Sequence, residues 1–266
     1  MSPLEAASTW RKDAMECRNV ILHHHIFKNA GTSFNKALEG VFGDRFMEFD
    51  GDNANHVFEP NGILEVIRSN PNTAAFSTHQ GMLFPGNNAE LEVISTLLLR
   101  HPLSRISSIY QFERIQEAEN AGAQMAKQLS FGAYLRWRWE QSPAFFCSQA
   151  LYCARSPGQM SYRPTETLLD RATQNLNLVN CVGTVEQYPD FLSRVQKQLA
   201  SLGEISPLVP FRVNTSRAPS DNHDLIRTKI ISETDEAFFE QLAPVINIDV
   251  ELWTVFNKTP IEKSRT

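Results

Sequence analysis

The sequence lacks the features that mark membrane, exported and nucleic-acid-binding proteins. No apolar run reaches ~18 residues, so we expect no membrane span. The segment 1–15 contains four charged residues and no apolar core, which argues against a secretory signal and favours a cytoplasmic location. Acidic residues outnumber Lys and Arg by 30 to 25, for a formal charge of -5. A net-acidic chain is a poor nucleic-acid binder because phosphate contacts need clustered positive charge.

Cysteine is scarce and has no spacing typical of a metal or redox motif. The four cysteines are Cys17, Cys147, Cys153 and Cys181, and none belongs to a CxxC pair. We therefore predict free, mostly buried thiols in an intracellular chain. A disulfide between Cys147 and Cys153 is the alternative.

The chain has 266 residues, enough for a sizeable core, and alternates between strand-like and helix-like segments. Apolar and β-branched runs predict strands over 19–27, 73–78, 92–99 and 178–184. Helical spacing and terminal Pro or Gly predict helices over 32–38, 60–70, 102–112, 131–139, 165–176, 189–202, 224–231 and 234–254, the last interrupted by Pro244. This alternation implies an α/β fold, a single domain with a central, mostly parallel sheet flanked by helices.

The first predicted strand leads into a glycine-containing segment, HIFKNAGTSF at 25–34, called the first loop. A tight turn between a strand and a helix directs backbone N–H groups at one point, and the helix N-terminus favours an anion there. Lys28 adds positive charge and Thr32 and Ser33 add hydroxyls, so we predict a phosphate cradle. Lys28 precedes Gly31, unlike the order in GxxxxGK[ST], which weakens an NTPase interpretation. An ordinary turn capped by Thr32 is the alternative.

A second strand–helix junction, LLLRHPLSRISSIY at 97–110, is called the second loop. Arg100 lies at the strand end, and Ser108 follows eight residues later. Two helical turns bring Ser108 onto a face that can look back toward Arg100. An Arg-x-Pro sequence at a helix start is common and carries little weight alone.

Together and in this order, the two loops resemble the signatures of sulfotransferases that use PAPS (3'-phosphoadenosine-5'-phosphosulfate). The first loop is most similar to the H-I-x-K-x-x-G-T-S form of carbohydrate sulfotransferases related to the heparan 2-O and 6-O enzymes. Its matching residues are His25, Ile26, Lys28, Gly31, Thr32 and Ser33. Ala30 replaces the usual first glycine, a departure that is mild if the backbone at position 30 keeps a negative φ. His101 replaces the usual acidic residue after Arg100, and Arg105 is either a second matching arginine or a solvated helix residue.

The resemblance spans about 18–220 and implies a P-loop-like sulfotransferase fold, with 1–266 as one domain and C-terminal helices over 221–258. It implies PAPS as the donor, its desulfonated form PAP as the product, and no metal. The implied donor-binding residues are Lys28, Asn29, Ala30, Gly31, Thr32 and Ser33 at the 5'-phosphosulfate, Arg100 and Ser108 at the 3'-phosphate, and Gly183 and Arg212 in later segments.

Sulfuryl transfer needs a group that takes the proton of the acceptor hydroxyl, and histidine titrates near neutrality. His79 follows the strand predicted over 73–78. It matches the position from which related carbohydrate enzymes supply the base, although Thr78 replaces the usual glycine. We predict that His79 is the base, with an ordinary loop histidine as the alternative. The fallback bases are Glu48, Asp50 and Glu113.

Three consecutive histidines lie in the first predicted strand. Alternation places His23 and His25 on one face and His24 on the other. A third ligand is not evident, so we do not expect a metal site. His25 is expected to shape the donor or acceptor pocket.

The acceptor is expected to carry a hydroxyl group, and the resemblance implies a carbohydrate. Side chains between 111 and 165 are candidates to line its site, with packing and a solvated face as the alternative. They are Arg136, Trp137, Arg138, Trp139 and Arg155. Two other functions stay open: a P-loop-like kinase or phosphotransferase, and a nucleotide-binding protein without turnover.

Overall fold

The structure is a computed structural model that describes residues 17–53, 55–83, 90–158, 166–201, 203, 206–211, 222–258 and 261–262. The strands are β1 (Arg18–His24), β2 (Phe46–Glu48), β3 (Ala75–Thr78), β4 (Leu91–Leu99), β5 (Cys181–Thr184) and β6 (Ile261–Glu262). The α-helices are α1 (Gly31–Phe42), α2 (Pro60–Ser69), α3 (Pro102–Ile115), α4 (Ala121–Gln128), α5 (Phe131–Gln141), α6 (Ser148–Ala154), α7 (Glu166–Leu176), α8 (Tyr188–Ala200), α9 (His223–Glu233) and α10 (Glu236–Lys258).

The strands form one sheet in the order β2-β3-β1-β4-β5-β6. The first five strands in this order are parallel, and the short β6 pairs antiparallel with β5. The pairing of β1 with β4 extends from Arg18 opposite Leu91 to His24 opposite Leu97. Residues 20–24 of β1 and all but one residue of β4 are buried, as is typical of central parallel strands. The predicted α/β fold with a mostly parallel sheet is confirmed.

Side chains of β4 alternate between the two faces of the sheet. Leu97 and Leu99 pack in a core with α6, α7 and α10. Ile94 and Leu98 pack in a second core with α1 and α8. Ile63 of α2 packs against β1 and β3, and a further core joins α3, α5, α9 and α10. Helices therefore cover both faces of the sheet and leave its carboxyl edge to the connecting loops.

Pro244 does not interrupt the last helix, contrary to the prediction. The 23-residue α10 continues through Pro244. Proline removes one backbone donor, but Leu242 and Ile246 on either side are buried in the same core. Packing of an apolar face contributes more to helix stability than intrinsic propensity does. No helix among the described residues is long and apolar enough to cross a membrane.

All four cysteines lie in the described part of the chain and are free thiols. Cys17 is exposed, whereas Cys147, Cys153 and Cys181 are buried. The prediction of free, mostly buried thiols is confirmed, and the alternative disulfide is wrong.

Candidate active site

The carboxyl ends of parallel strands meet at one edge of a sheet, which is where open α/β sheets bind ligands. Three predicted functional residues follow such ends: Lys28 after β1, His79 after β3 and Arg100 after β4. Since β1 lies between β3 and β4, the three residues come from adjacent strands. This edge is the candidate active site.

The turn in the first loop uses left-handed backbone at two non-glycine residues. Lys28 has a φ of 67° and Ala30 a φ of 59°, and this region costs a non-glycine residue about 1–2 kcal/mol. Ala30 therefore does not have the negative φ that would make alanine a mild replacement for the usual glycine. The chain must reverse between β1 and α1 within a few residues, and the Asn29 N–H stabilises the reversal by donating to the Ile26 carbonyl at 3.1 Å.

Ala30→Gly should raise the free energy of unfolding by up to about 1 kcal/mol, because glycine reaches positive φ without a Cβ clash. The gain is reduced by the larger entropy of glycine in the unfolded chain, about 0.4–1 kcal/mol. Thermal unfolding measures the change, at about 2–4 °C per kcal/mol for a chain of this size. The matched control Ala133→Gly, in the helical backbone of α5, should lower the Tm. A Tm for Ala30→Gly below that of the wild type would contradict the assigned backbone.

Gly31 begins α1 at a point where no side chain fits. A Cβ atom built on Gly31 would lie 1.9 Å from Cδ2 of His25, so any other residue would displace that ring. The N-terminus of α1 has no side-chain cap. Thr32 is exposed and lies inside the first turn, whereas Ser33 is buried. The alternative of a turn capped by Thr32 is therefore wrong, and α1 presents its uncapped first turn at the carboxyl edge.

Two arginines join the loops. Arg100 Nη1 donates to the Lys28 carbonyl at 3.2 Å, and Arg105 Nε donates to the Phe27 carbonyl at 3.0 Å. Arg105 is only 6% exposed, so the interpretation of Arg105 as a solvated helix residue is wrong. The side chain anchors the first loop to α3.

Positive charge is concentrated at this junction. Burial lowers the pKa of Lys28, and the charge of Arg100 lowers it further. Burial lowers the pKa of Arg105 to about 10, while the Asp249 carboxylate opposes this shift and Arg100 adds to it. Like charges held together away from water repel each other, and a bound anion relieves the repulsion. The junction therefore has the electrostatics of a phosphate or sulfate site.

Ser108 lies on the face of α3 that contacts the first loop. The residues three before and four after it share this face. The earlier residue, Arg105, bonds to the Phe27 carbonyl. The later residue, Phe112, packs edge-on against the Phe27 ring, with 5.5 Å between the ring centroids. The centroid of the Phe112 ring also lies 4.4 Å from Lys28 Nζ. The half-buried Ser108 is thus on the side of α3 nearest the predicted phosphate cradle.

His79 is held by hydrogen bonds to its ring and its backbone. Nδ1 lies 2.9 Å from the His25 carbonyl. A carbonyl only accepts, so Nδ1 carries the proton and Nε2 is the basic nitrogen. The His79 N–H donates to Asp50 Oδ1 at 2.8 Å, and the same oxygen accepts from the Thr78 hydroxyl at 3.0 Å. The arrangement suits a general base with a defined tautomer.

The fallback bases differ in their access to the site. Asp50 lies at the carboxyl edge, where it binds the backbone of His79. Glu113 is 7% exposed and accepts from the Tyr134 hydroxyl at 2.5 Å and from Arg138 at 2.6 Å. Those bonds occupy the Glu113 carboxylate inside the helical core. Glu48 is exposed at the end of β2.

The histidines of β1 and the first loop are buried. The rings of His23 and His25 lie 5.6 Å apart. Burial lowers the pKa of His24 to about 3. Burial also lowers the pKa of His25 to about 3, with smaller contributions from His79 and Lys28. In the part of the chain that the structure describes, no group of three His, Cys, Asp or Glu side chains could hold a metal ion.

A buried glutamine that the sequence patterns did not indicate joins both loops. Gln149 Oε1 accepts from Asn29 Nδ2 at 2.7 Å and from the Arg100 N–H at 3.0 Å. Gln149 Nε2 donates to the Arg100 carbonyl at 2.9 Å. Asn29 Nδ2 also donates to the Leu98 carbonyl at 2.8 Å. The Asn29 amide thus positions the loop, and its predicted contact with the donor stays a prediction.

The carboxylate of Asp249 in α10 fixes the backbone at this glutamine. Its carboxylate accepts from the backbone N–H groups of Gln149 and Ala150 at 3.2 and 2.8 Å. Burial raises the pKa of Asp249 to about 6, while the N–H bonds and Arg105 oppose the shift. Asp249 shares its helical face with the apolar Leu242, Ile246 and Leu252, and this spacing is the sequence signal that could have found it.

The residue after Arg100 connects the second loop to the C-terminal helices. His101 stacks on His223 of α9 with 3.4 Å between ring centroids. Glu186, just after β5, accepts from the His101 N–H at 3.0 Å and from Trp253 Nε1 at 2.9 Å. These contacts fix the end of β4 against α9 and α10.

The structure describes one of the two later donor-binding candidates. Gly183 lies inside β5, where a Cβ atom would be 2.6 Å from Cδ2 of Phe191. The missing side chain lets α8 pack closely on the sheet, and contact with the donor stays a prediction. Arg212 lies outside the described residues.

Most side chains predicted to line the acceptor site pack elsewhere. Trp137 and Trp139 lie against the helical core. Arg138 pairs with Glu113 at 2.6 Å, and Arg136 pairs with Asp235 at the surface. For these four residues the alternative of packing and a solvated face describes what is observed.

Arg155 is the exception among the predicted acceptor residues. Its guanidinium lies 4.9 Å from the ring centroid of Tyr152. The Tyr152 hydroxyl donates to the Gly81 carbonyl at 2.8 Å, and Gly81 is two residues after His79. Arg155 is therefore connected to the segment that carries the candidate base.

Comparison with known proteins identifies the family of the chain. An uncharacterized protein of Archaeoglobus fulgidus is 25% identical over 241 residues, which is 89% of this chain and 95% of the relative. No solved structure matches the chain significantly. A family model described as "Sulfotransferase family" matches residues 14–245, which include both loops and His79. The chain therefore belongs to the sulfotransferase family.

Proposed function

We propose that this sulfotransferase takes its sulfuryl group from PAPS and transfers it to a hydroxyl of a carbohydrate or glycan-like acceptor. The observation that carries the proposal is the joining of the two loops, in which Arg100 donates to the Lys28 carbonyl at 3.2 Å. PAPS is anionic at its 5'-phosphosulfate and its 3'-phosphate. The first loop with the start of α1 suits the first group, and Arg100 with Ser108 suits the second.

Each residue has one role in the proposed reaction. His79 Nε2 accepts the hydroxyl proton as the bond from the acceptor oxygen to sulfur forms and the bond from sulfur to the 5'-phosphate oxygen breaks. Lys28 and the N–H groups at the start of α1 stabilise the charge that develops on the departing phosphate oxygen. Arg100 and Ser108 hold the 3'-phosphate and so orient the donor. The products are the sulfated acceptor and PAP, and His79 later releases its proton to water.

The carbohydrate acceptor is supported by the H-I-x-K-x-x-G-T-S form of the first loop, since that form resembles the carbohydrate sulfotransferases. Arg155, connected to the Gly81 carbonyl through Tyr152, is a candidate to contact the acceptor. Labelled PAPS incubated with glycan, lipid-headgroup, small-metabolite and tyrosine-peptide acceptors tests this part of the proposal. Label transfer to the peptide or the metabolite and to none of the glycans would contradict it.

The wild-type protein should bind PAP at least about tenfold more tightly than AMP, which corresponds to ~1.4 kcal/mol. A 3'-phosphate offers the half-buried Arg100 guanidinium a bidentate, charge-assisted contact that AMP cannot make, and a hydrogen bond to a charged group contributes about 1.5–3 kcal/mol. Arg100→Ala should remove the preference mainly by weakening PAP binding. Ser108→Ala should reduce it less.

Calorimetric titration with PAP and with AMP measures these preferences. Arg68→Ala is the matched control, because Arg68 is an exposed arginine of α2 that pairs with Glu90, and it should keep the wild-type preference. Equal wild-type affinities for PAP and AMP would overturn the assignment of PAPS as the donor.

A further inference from the structure

His25 opens the first loop, and its backbone bonds to the segment that carries His79. The His25 N–H donates to the Thr78 carbonyl at 2.9 Å, and the His25 carbonyl accepts from His79 Nδ1 at 2.9 Å. Any residue other than proline could make these two bonds at position 25. They therefore explain the tautomer of His79 but not the presence of a histidine at position 25.

The His25 ring fills the space between the start of α1 and the candidate base. On one side, its centroid lies 3.8 Å from that of His79, with 31° between the ring planes. On the other side, a Cβ atom built on Gly31 would lie 1.9 Å from Cδ2 and 2.1 Å from Nε2 of the ring. The ring is therefore in van der Waals contact with both residues, and neither can shift toward the other without moving it.

Packing rather than polar bonding holds this ring. His25 is 6% exposed, and its Nδ1 atom is buried with no hydrogen-bond partner among the described residues. The ionisable groups that face it are His79 after β3, His23 on β1 and Lys28 in the first loop. All of these groups are neutral or positive, so none stabilises a positive charge on the His25 ring, which stays neutral at physiological pH. A neutral ring without a polar partner is suited to a steric role.

We propose that His25 is a positioning residue that couples the first loop to the base, because its ring transmits the position of Gly31 to the ring of His79. Only glycine at position 31 leaves space for the His25 ring, which in turn packs against the ring of His79. The inference rests on the proposed role of His79. It differs from that role because His25 acts through the ring of His79 and does not itself take the proton.

A double-mutant cycle on Gly31 and His25 tests the coupling. Gly31→Ala alone should displace the His25 ring and lower kcat by about tenfold or more, since small misplacements of reacting groups have large effects. His25→Ala alone should lower kcat while leaving the Kd for PAP within about twofold, because the backbone of the first loop keeps its bonds. In the double variant the new methyl group enters the space that the ring vacated. Gly31→Ala should then lower kcat by less than about twofold relative to His25→Ala.

A second buried glycine supplies the control. A Cβ atom at Gly132 of α5 would lie 2.7 Å from Cβ of Glu233, a comparable clash far from His25. Gly132→Ala should lower the Tm by the same amount in the wild-type and His25→Ala backgrounds. If Gly31→Ala does not fold alone but folds in the His25→Ala background, the steric coupling is supported by stability instead of by kcat.

Two outcomes would overturn the inference. One is an equal effect of Gly31→Ala on kcat in both backgrounds. The other is a loss of PAP affinity in His25→Ala that matches its loss of kcat, because a purely structural residue would weaken both. Failure of the proposed function is recognised separately, because the wild-type protein would then transfer no label from PAPS to any acceptor. Failure of the His79 assignment alone is recognised when His79→Ala keeps the wild-type rate.

Discussion

Replacing His79 by alanine is expected to lower the rate of sulfuryl transfer by on the order of 10³-fold, as for loss of a general base. The wild-type ring holds Nε2 unprotonated because Nδ1 donates to the His25 carbonyl at 2.9 Å, and no other described group at this edge repeats that arrangement. PAP binding should stay within about twofold, because His79 is assigned to the acceptor proton and not to the nucleotide. Initial rates with labelled PAPS and calorimetric titration with PAP measure the two quantities.

Two further variants separate the base from its surroundings. His79→Asn keeps an N–H donor for the His25 carbonyl but has no basic nitrogen, so it should be as inactive as His79→Ala. His56→Asn changes an exposed histidine that packs on Phe58 and should keep the wild-type rate. The acid limb of the pH–rate profile should disappear in the His79 variants. If activity and the acid limb both persist, the base lies elsewhere, and Asp50 is the next residue to replace.

Lys28→Ala should lower turnover on the order of 10²-fold or more, with a much smaller loss of PAP affinity. Lys28 follows β1 in the turn before α1, and burial and Arg100 lower its pKa. A positive charge placed there stabilises the site most strongly when the sulfur–oxygen bond breaks and the phosphate oxygen becomes more negative. PAP carries no sulfuryl group, so its binding reports only the ground-state contact.

A lysine eight residues after Lys28 supplies the control for this prediction. Lys36 of α1 is exposed and pairs with Glu39 at 2.6 Å, so Lys36→Ala should change neither the rate nor PAP affinity. Single-turnover rates and PAP titrations of both variants give the comparison. Near-normal turnover of Lys28→Ala, or equal losses of turnover and PAP affinity, would remove its role in stabilising the departing oxygen.

Local patterns in the sequence identified the elements that carry the site. The apolar run of β4 and the Pro102 start of α3 predict the second loop to within a residue. The first loop was equally clear, but the prediction placed the end of its strand at Phe27, whereas β1 ends at His24. The strand ends earlier because the turn needs positive φ at Lys28 and Ala30, a requirement that their side chains do not signal. β2 was missed, since a three-residue strand is too short for alternation to show.

Sequence patterns did not predict the contacts between residues that are far apart in the chain. The sequence left Arg105 open as a second matching arginine or a solvated helix residue, and the structure shows that it bonds to the Phe27 carbonyl, 78 positions away. Gln149 and Asp249 join the two loops to α10, and their contacts span about a hundred residues. The partners of such buried polar groups are decided by which helices pack behind the sheet. A single sequence does not carry that information in any periodicity.

By itself, the sequence determined the strand–helix alternation, the two loops and the sulfotransferase resemblance, because each depends on residues close together in the chain. Only the tertiary structure decided that His25 lies between Gly31 and His79. It also decided that the Arg138 and Trp137 side chains pack in the helical core instead of lining a pocket. Finally, it decided that α10 continues unbroken through Pro244. The physical reason is the same in each case. Burial and close packing among residues far apart in sequence outweigh local preferences of about 1–3 kcal/mol, and that competition is settled only once the chain has folded.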